Sequence, residues 1–146
     1  MSSPHASSHA APGVSQAVAL QYPFPDLPEA GSVTAVAPGV YWLRMPLPMS
    51  LDHINLYLLE SETGWTVVDT GIRGQETKDL WLTIFEDCLG GKPVEQIICT
   101  HMHPDHVGMA GWLGKKFDIA LWMTRLEYLT CRVLVADTGR PAPLDG

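Results

Sequence analysis

Short apolar runs separated by turn residues fill the first half of the sequence and predict β-strands. The runs are residues 33–36, 40–45, 54–60 and 65–69. Pro38-Gly39 separates the first pair, and Glu62-Thr63-Gly64 separates the second pair. Pro46 ends the second run, because proline cannot donate to a sheet ladder. The second pair therefore predicts a β-hairpin.

The hydrophobic period changes after residue 75 and predicts helices alternating with further strands. Over residues 75–89, apolar side chains form one helical stripe; they are Leu80, Trp81, Ile84, Phe85 and Cys88. Further helices are predicted over residues 106–116 and 124–136, and Thr124 and Glu127 have capping-box spacing. The apolar runs 94–99 and 119–123 predict two more strands. This order indicates an α/β (α+β) fold with a mixed sheet flanked by helices.

The two ends of the sequence lack such patterns. Residues 1–30 are rich in Ala, Ser and Pro and have no periodicity, so we expect a disordered or loosely draped arm. Residues 31–146 then form one domain, and the last helix is followed by a Pro-containing loop from Arg140 to Gly146.

A cluster of histidines follows the predicted strand 94–99. It contains His101, His103, Asp105 and His106, with Pro104 placed to start a helix. Imidazole and carboxylate are ligands that suit zinc, and they also suit iron or manganese. Four donors exceed what one ion usually takes from one loop, so the cluster predicts two neighbouring ions. The alternative is a set of surface loop histidines or a tag-like run, but this cluster is internal and lies between two patterned elements.

These residues resemble a known family. His101-Met102-His103-Pro104-Asp105-His106 matches the H-x-H-x-D-H signature of the metallo-β-lactamase superfamily. Val67-Val68-Asp69-Thr70-Gly71 is similar to its strand-end D-T-G, and Asn55-Leu56-Tyr57-Leu58 is similar to its N-x-Y-L strand. Order and spacing agree over residues 33–137. The resemblance implies half of an αββα sandwich, namely its N-terminal half.

The resemblance also implies roles for individual residues. His101 and His103 would hold the first ion, while Asp105 and His106 would hold the second. Asp105 would also orient a metal-bound hydroxide that attacks an ester, thioester, lactone, amide or phosphoester. Asp69 would support a ligand histidine from outside the coordination sphere, with a simple turn aspartate as the alternative.

His53 lies in a loop that is near the metal mouth in the family, where it would touch a small-molecule substrate. A hydrogen-bonded loop histidine is an equally good interpretation. Cys88, Cys99 and Cys131 match no zinc or redox spacing, and we expect small buried thiols.

The remaining ligands of the family come from its second half, and this sequence has no histidine after His106. Two accounts fit: a fragment of a longer enzyme, which we favour, or a short protein completed by a partner or a second copy. The uncovered sheet would then offer a surface for self-association. The alternative function is a non-catalytic metal-binding or interaction module.

Charge and hydropathy narrow the classes of partner. The formal net charge is −7, with nine basic residues against sixteen acidic ones. This balance is poor for phosphate-backbone binding, so we expect no nucleic acid and no nuclease activity. No apolar run approaches the length of a membrane span, and the first 20 residues lack a signal-peptide pattern. We therefore expect no membrane partner and a cytoplasmic location.

Overall fold

The computed structural model describes residues 20–24 and 26–136. Six strands and four helices follow one another in this part of the chain. They are β1 (Thr34–Ala37), β2 (Val40–Pro46), β3 (His53–Glu60), β4 (Trp65–Val68), α1 (Gln75–Asp87), β5 (Val94–Ile98), α2 (Pro104–Val107), α3 (Ala110–Phe117), β6 (Leu121–Trp122) and α4 (Arg125–Ala136).

The strands form one mixed sheet in sequence order. β1 to β4 are joined as antiparallel neighbours, whereas β4, β5 and β6 run parallel. Parallel neighbours need a crossover, and α1 and the α2–α3 pair provide the two crossovers. The carboxyl ends of β4 and β5 therefore meet at one edge of the sheet. Asp69 follows β4 there, and the histidine cluster follows β5.

The helices α1 and α3 cover one face of the sheet. The sheet residues facing them are fully buried; they are Leu43, Met45, Leu56, Leu58, Val67 and Ile97. Trp81 and Ile84 of α1 and Leu113 of α3 are equally buried. The predicted stripe of the first helix is thus confirmed as a core-facing surface, and each such side chain contributes about 1.5–3 kcal/mol by burial.

The opposite face of the sheet carries apolar side chains with little cover. Tyr57 of β3 is 39% exposed, and Trp122 of β6 is 61% exposed. On α4, no residue is buried, and Leu126 and Val133 are 73% and 67% exposed. An apolar area of this kind is typical of an interaction surface. The expected self-association through it stays a prediction.

One element of the sequence prediction is wrong. The single helix predicted over residues 106–116 is two helices, because the chain breaks at Gly108 and Met109. The backbone N–H of Met109 donates to Thr70 Oγ1 (3.1 Å) instead of continuing α2. The loop after β4 also lies directly against Gly108, where a Cβ would be 2.5 Å from the amide nitrogen of Arg73. Tertiary contacts therefore override the helical pattern.

The remaining elements agree in type with their predictions and differ by at most two residues at their ends, as helix and strand termini commonly do. Of the arm predicted over residues 1–30, residues 1–19 and 25 lie outside the described part. The described residues before Gly31 contain no helix or strand. The loop predicted from Arg140 to Gly146 also lies outside it. In the part described, no helix has the length and apolarity needed to cross a membrane.

Two glycines provide a matched test of the contact at the helix break. A Cβ at Gly108 would lie 2.7 Å from the carbonyl oxygen of Gly71, whereas a Cβ at Gly111 meets nothing within 4 Å. We expect Gly108→Ala to lower the free energy of unfolding by about 2–3 kcal/mol, because backbone atoms must move. Gly111→Ala should be neutral or stabilising by about 1 kcal/mol. Urea unfolding of both variants measures this, and equal effects would contradict the close approach.

Candidate metal centre

The carboxylate of Asp69, at the end of β4, contacts the loop that follows β5. This loop, residues 99–103, and the start of α2 carry the candidate ligands, and residues 99–106 are called the metal loop below. Asp69 Oδ1 accepts the backbone N–H of Thr100 (2.8 Å), and Oδ2 accepts the Thr100 hydroxyl (2.8 Å). Oδ2 also lies 2.9 Å from Nδ1 of His106. The residue is buried and has φ +60°, a left-handed conformation that aspartate tolerates better than most residues. The end of β4 is therefore shaped to aim this carboxylate at the loop after β5.

These contacts define which ring nitrogens of the histidines carry hydrogen. A carboxylate only accepts, so His106 donates from Nδ1 to Asp69 and keeps a lone pair on Nε2. The Thr100 hydroxyl gives its hydrogen to Asp69 and lies 3.0 Å from Nδ1 of His101. His101 therefore donates from Nδ1 to Thr100, and its Nε2 also keeps a lone pair. One carboxylate thus orients two imidazoles, which is a common arrangement behind metal-ligating histidines.

Backbone contacts fix the position of His106. Its carbonyl oxygen accepts from the backbone N–H of Thr70 (2.7 Å) and from the Thr70 hydroxyl (2.7 Å). The thiol of Cys99 also donates to it at 3.6 Å, and burial raises the pKa of that thiol to about 12. Thr70 is itself held by the indole N–H of Trp81, which donates to its carbonyl oxygen at 2.8 Å. Thr70 thus connects Trp81 of the hydrophobic core to the backbone of His106.

A contact from α4 holds the other end of the loop. The carboxylate of Glu127 accepts the backbone N–H of Met102 at 2.8 Å. The capping box predicted for this helix is therefore only half formed. The N–H of Glu127 does donate to Thr124 Oγ1 at 3.4 Å, but the Glu127 side chain has turned to the metal loop.

The four candidate ligands form two pairs. Nε2 of His101 lies 3.1 Å from Nδ1 of His103, and Nε2 of His106 lies 3.6 Å from Asp105 Oδ2. The rings of His101 and His106 are adjacent, with centroids 3.9 Å apart. Among residues 20–24 and 26–136, no three or more His, Cys, Asp or Glu side chains come together as a complete metal cluster.

The separations within the pairs fit shared ions. Two nitrogens that each lie about 2.0–2.1 Å from one tetrahedral zinc are about 3.3 Å apart, close to the spacing between His101 and His103. Two nitrogens facing each other at 3.1 Å also need a proton or a cation between them. The nitrogen and oxygen donors have the chemistry that zinc accepts. The residues therefore fit part of a metal coordination sphere.

His53, predicted at the substrate rim, lies at the first position of β3. Its ring is hydrogen-bonded to Asp52, and this contact lowers the pKa of the Asp52 carboxyl. His53 lines a separate cavity of about 220 Å³ together with Arg44. Its role at a substrate rim stays a prediction.

Sequence reasoning missed the contributions of Thr70, Thr100 and Glu127. Thr70 follows Asp69, and Thr100 follows Cys99, the last residue of the predicted strand 94–99. These positions at strand ends could have indicated that both threonines contact the loop that carries the histidines. Glu127 lies 25 residues after Met102 along the chain, and the sequence offers only its capping spacing.

The fold and this edge site define the class of protein, and comparisons identify the family. The family model described as the metallo-beta-lactamase superfamily matches residues 49–143. A beta-lactamase domain protein from Burkholderia ambifaria is 49% identical with a TM-score of 0.76, and the match covers 80% of this chain and 37% of that one. The chain therefore belongs to the metallo-β-lactamase superfamily, and the predicted family and fold class are confirmed.

Two further solved structures are similar. A metallo-beta-lactamase family protein from Thermus thermophilus is 35% identical with a TM-score of 0.50, covering 56% of this chain and 27% of that one. The metallo-beta-lactamase FIM-1 from Pseudomonas aeruginosa, solved in its mono-zinc form, is 20% identical with a TM-score of 0.58. That match covers 70% of this chain and 45% of that one, and shows the fold alone. No curated protein matches.

The chain spans less than half the length of the three similar structures.

The Asp69 carboxylate gives a test with a matched control. We expect Asp69→Asn to weaken zinc binding about 10–100-fold, because an amide N–H would face the donors of Thr100 and His106. Asp118→Asn is the control, since Asp118 also has a positive φ but lies at the end of α3, away from the metal loop. Zinc affinity is measured by competition with a chromogenic chelator. Equal affinities of the two variants would contradict the assigned role of Asp69.

Proposed function

We propose that the chain forms the N-terminal part of a metal-dependent hydrolase. The observation that carries this proposal is the network around Asp69, in which Nδ1 of His106 contacts the carboxylate and Nδ1 of His101 contacts the Thr100 hydroxyl. When both rings are neutral and donate from Nδ1, Nε2 of each ring is available to bind a metal. This network fixes the orientation of two imidazoles, an arrangement that is common behind metal-ligating histidines. A metal site would account for that orientation.

In this proposal His101 and His103 hold one ion, and Asp105 and His106 hold a second. Bound zinc would lower the pKa of a coordinated water and polarise the electrophile of an ester, thioester, lactone or related bond. Iron or manganese would also accept these donors. The side chain of Asp105 is 24% exposed, so it can accept a hydrogen bond from water and orient that water for attack.

The substrate we propose is a small molecule. The acidic chain, with net charge −7, would repel the phosphate backbone of nucleic acid. His53 begins β3, which runs antiparallel to β4, so it lies at the same edge of the sheet as the candidate ligands. We propose that this region favours an acyl or lactone group over a highly charged polymer.

Each donor pair supplies two ligands, whereas a catalytic zinc usually takes three from the protein. We propose that the further ligands come from a second segment, either of the same protein or of another copy. A non-catalytic metal-binding module is the second candidate. The observation that favours it is that, in the described part of the chain, the candidate ligands come together only in twos.

Metal content tests the site. We expect zinc in the purified chain and, in His103→Ala, loss of the ion that the first pair holds, because one of its two ligands is removed. His53→Ala is the matched control, since it also removes a histidine but one that lies outside the cluster. Elemental analysis after gel filtration measures both. Unchanged zinc content in His103→Ala would rule out the proposed first pair.

Turnover separates the hydrolase from the module. With zinc present, the protein encoded by the full reading frame should hydrolyse members of an ester, thioester and lactone panel. Asp105→Asn should lower kcat about 100-fold or more, because the group that orients water is lost. Zinc binding without any turnover by the unmodified protein would favour the module.

A further inference from the structure

A cavity of about 730 Å³ lies on the helix side of the sheet, between the start of α1 and α3. Its lining comes from the loop after β4, the first turn of α1 and the α2–α3 segment; the residues are Arg73, Gly74, Gln75, Lys78, Gly108, Met109, Gly111, Trp112 and Lys115. None of the four candidate metal ligands belongs to this lining. The cavity is therefore separate from the metal centre.

The lining is strongly cationic for this chain. Arg73, Lys78 and Lys115 contribute three positive charges, and no carboxylate lines the cavity. In the whole sequence, acidic residues outnumber basic ones by sixteen to nine. Among the described residues, none of these three cations forms an ion pair, since the ion pairs there involve only Lys92 and histidines as the basic partners. Three cationic residues without an ion-pair partner thus line one cavity, where an anion could pair with them.

The position of one of the three cations is partly fixed. The ammonium group of Lys78 lies 5.7 Å from the ring centroid of Trp112, a cation–π contact that restrains it. The backbone of Arg73 lies against Gly108, whereas Arg73 and Lys115 are themselves exposed residues. Lys78 therefore loses less freedom on binding than a free surface lysine would.

The glycines keep the cavity open. A Cβ at Gly74 or at Gly111 would meet nothing within 4 Å. Both residues line the cavity, so side chains at these positions would enter space that a ligand can use. A volume of this size is typical of pockets for small organic molecules, and it exceeds the size of a single inorganic phosphate.

We propose that this cavity binds a small organic phosphate, with the phosphate group held by Arg73, Lys78 and Lys115 and the organic part in the remaining volume. Guanidinium matches phosphate through parallel N–H···O bonds, and lysine adds point charges. Asp79, which follows Lys78 on α1, does not line the cavity, and its carboxylate accepts a hydrogen bond from Gln75 (2.7 Å). The proposal does not depend on the hydrolase function.

The first experiment is calorimetric titration of the 146-residue chain with ADP and with pyrophosphate as probes. Adenosine is the neutral control, and citrate is the control for a carboxylate anion of similar charge. We expect ADP and pyrophosphate to bind, adenosine not to bind, and citrate to bind at least about fivefold more weakly than ADP. Affinity should fall as salt rises, because exposed charges are screened.

Charge variants test the residues. Each of Arg73→Gln, Lys78→Gln and Lys115→Gln should weaken ADP binding about threefold to tenfold, and the triple variant should abolish it. Arg132→Gln is the matched control, because it removes the same charge from exposed α4. Gly111→Leu keeps all charges and should weaken ADP more than pyrophosphate, since it fills the space for the organic part.

Several outcomes would overturn the proposal. One is failure of both ADP and pyrophosphate to bind at millimolar concentration. Another is equal weakening in the triple variant and in Arg132→Gln, which would indicate diffuse charge. Citrate binding as tightly as ADP would assign a general anion site instead of a phosphate site. A single-stranded oligonucleotide that bound more tightly than ADP, and lost affinity in the triple variant, would assign the surface to nucleic acid.

Discussion

The hydrogen bonds to the Asp69 carboxylate are the interaction on which the metal loop depends. A buried carboxylate is costly unless its oxygens are satisfied, and Asp69 is satisfied only when Thr100 and His106 are both in place. These partners lie 31 and 37 residues away along the chain. The contact requires β4 and β5 to be side by side, so the orientation of the histidines is coupled to the sheet.

A second set of contacts ties the same loop to the helix-covered core. Thr70 uses its backbone N–H, carbonyl and hydroxyl in bonds to His106, Trp81 and Met109. This accounts for the break between α2 and α3, because the Met109 N–H is committed to Thr70 and Gly108 has no room for a side chain. The positive φ of Asp69 is strain of about 1–3 kcal/mol in a non-glycine residue, and the dense bonding around it offsets that strain.

Local pattern was enough to predict the six strands and the stripe of α1, and it predicted that the candidate ligands His101 to His106 follow β5. It was not enough where long-range contacts decide the structure. Residues 106–116 have a continuous helical pattern, and the break depends on Thr70, which is distant in sequence. The spacing of Thr124 and Glu127 indicates a cap, yet the Glu127 carboxylate bonds to Met102 because the loop after β5 passes beside α4. The pairing of His101 with His103 and of Asp105 with His106 likewise requires the folded loop.

The segment between α2 and α3 borders both the candidate metal centre and the cationic cavity. On one side, Met109 bonds to Thr70, which holds the carbonyl of His106 behind the metal donors. On the other side, Gly108 and Met109 line the cationic cavity with Arg73. Neither Asp69 nor Asp105 belongs to the lining of the cavity, to which this backbone segment contributes Gly108 and Met109. If these charges shared one solvent-filled cleft, they would pair with each other, and neither set would be left to bind a ligand.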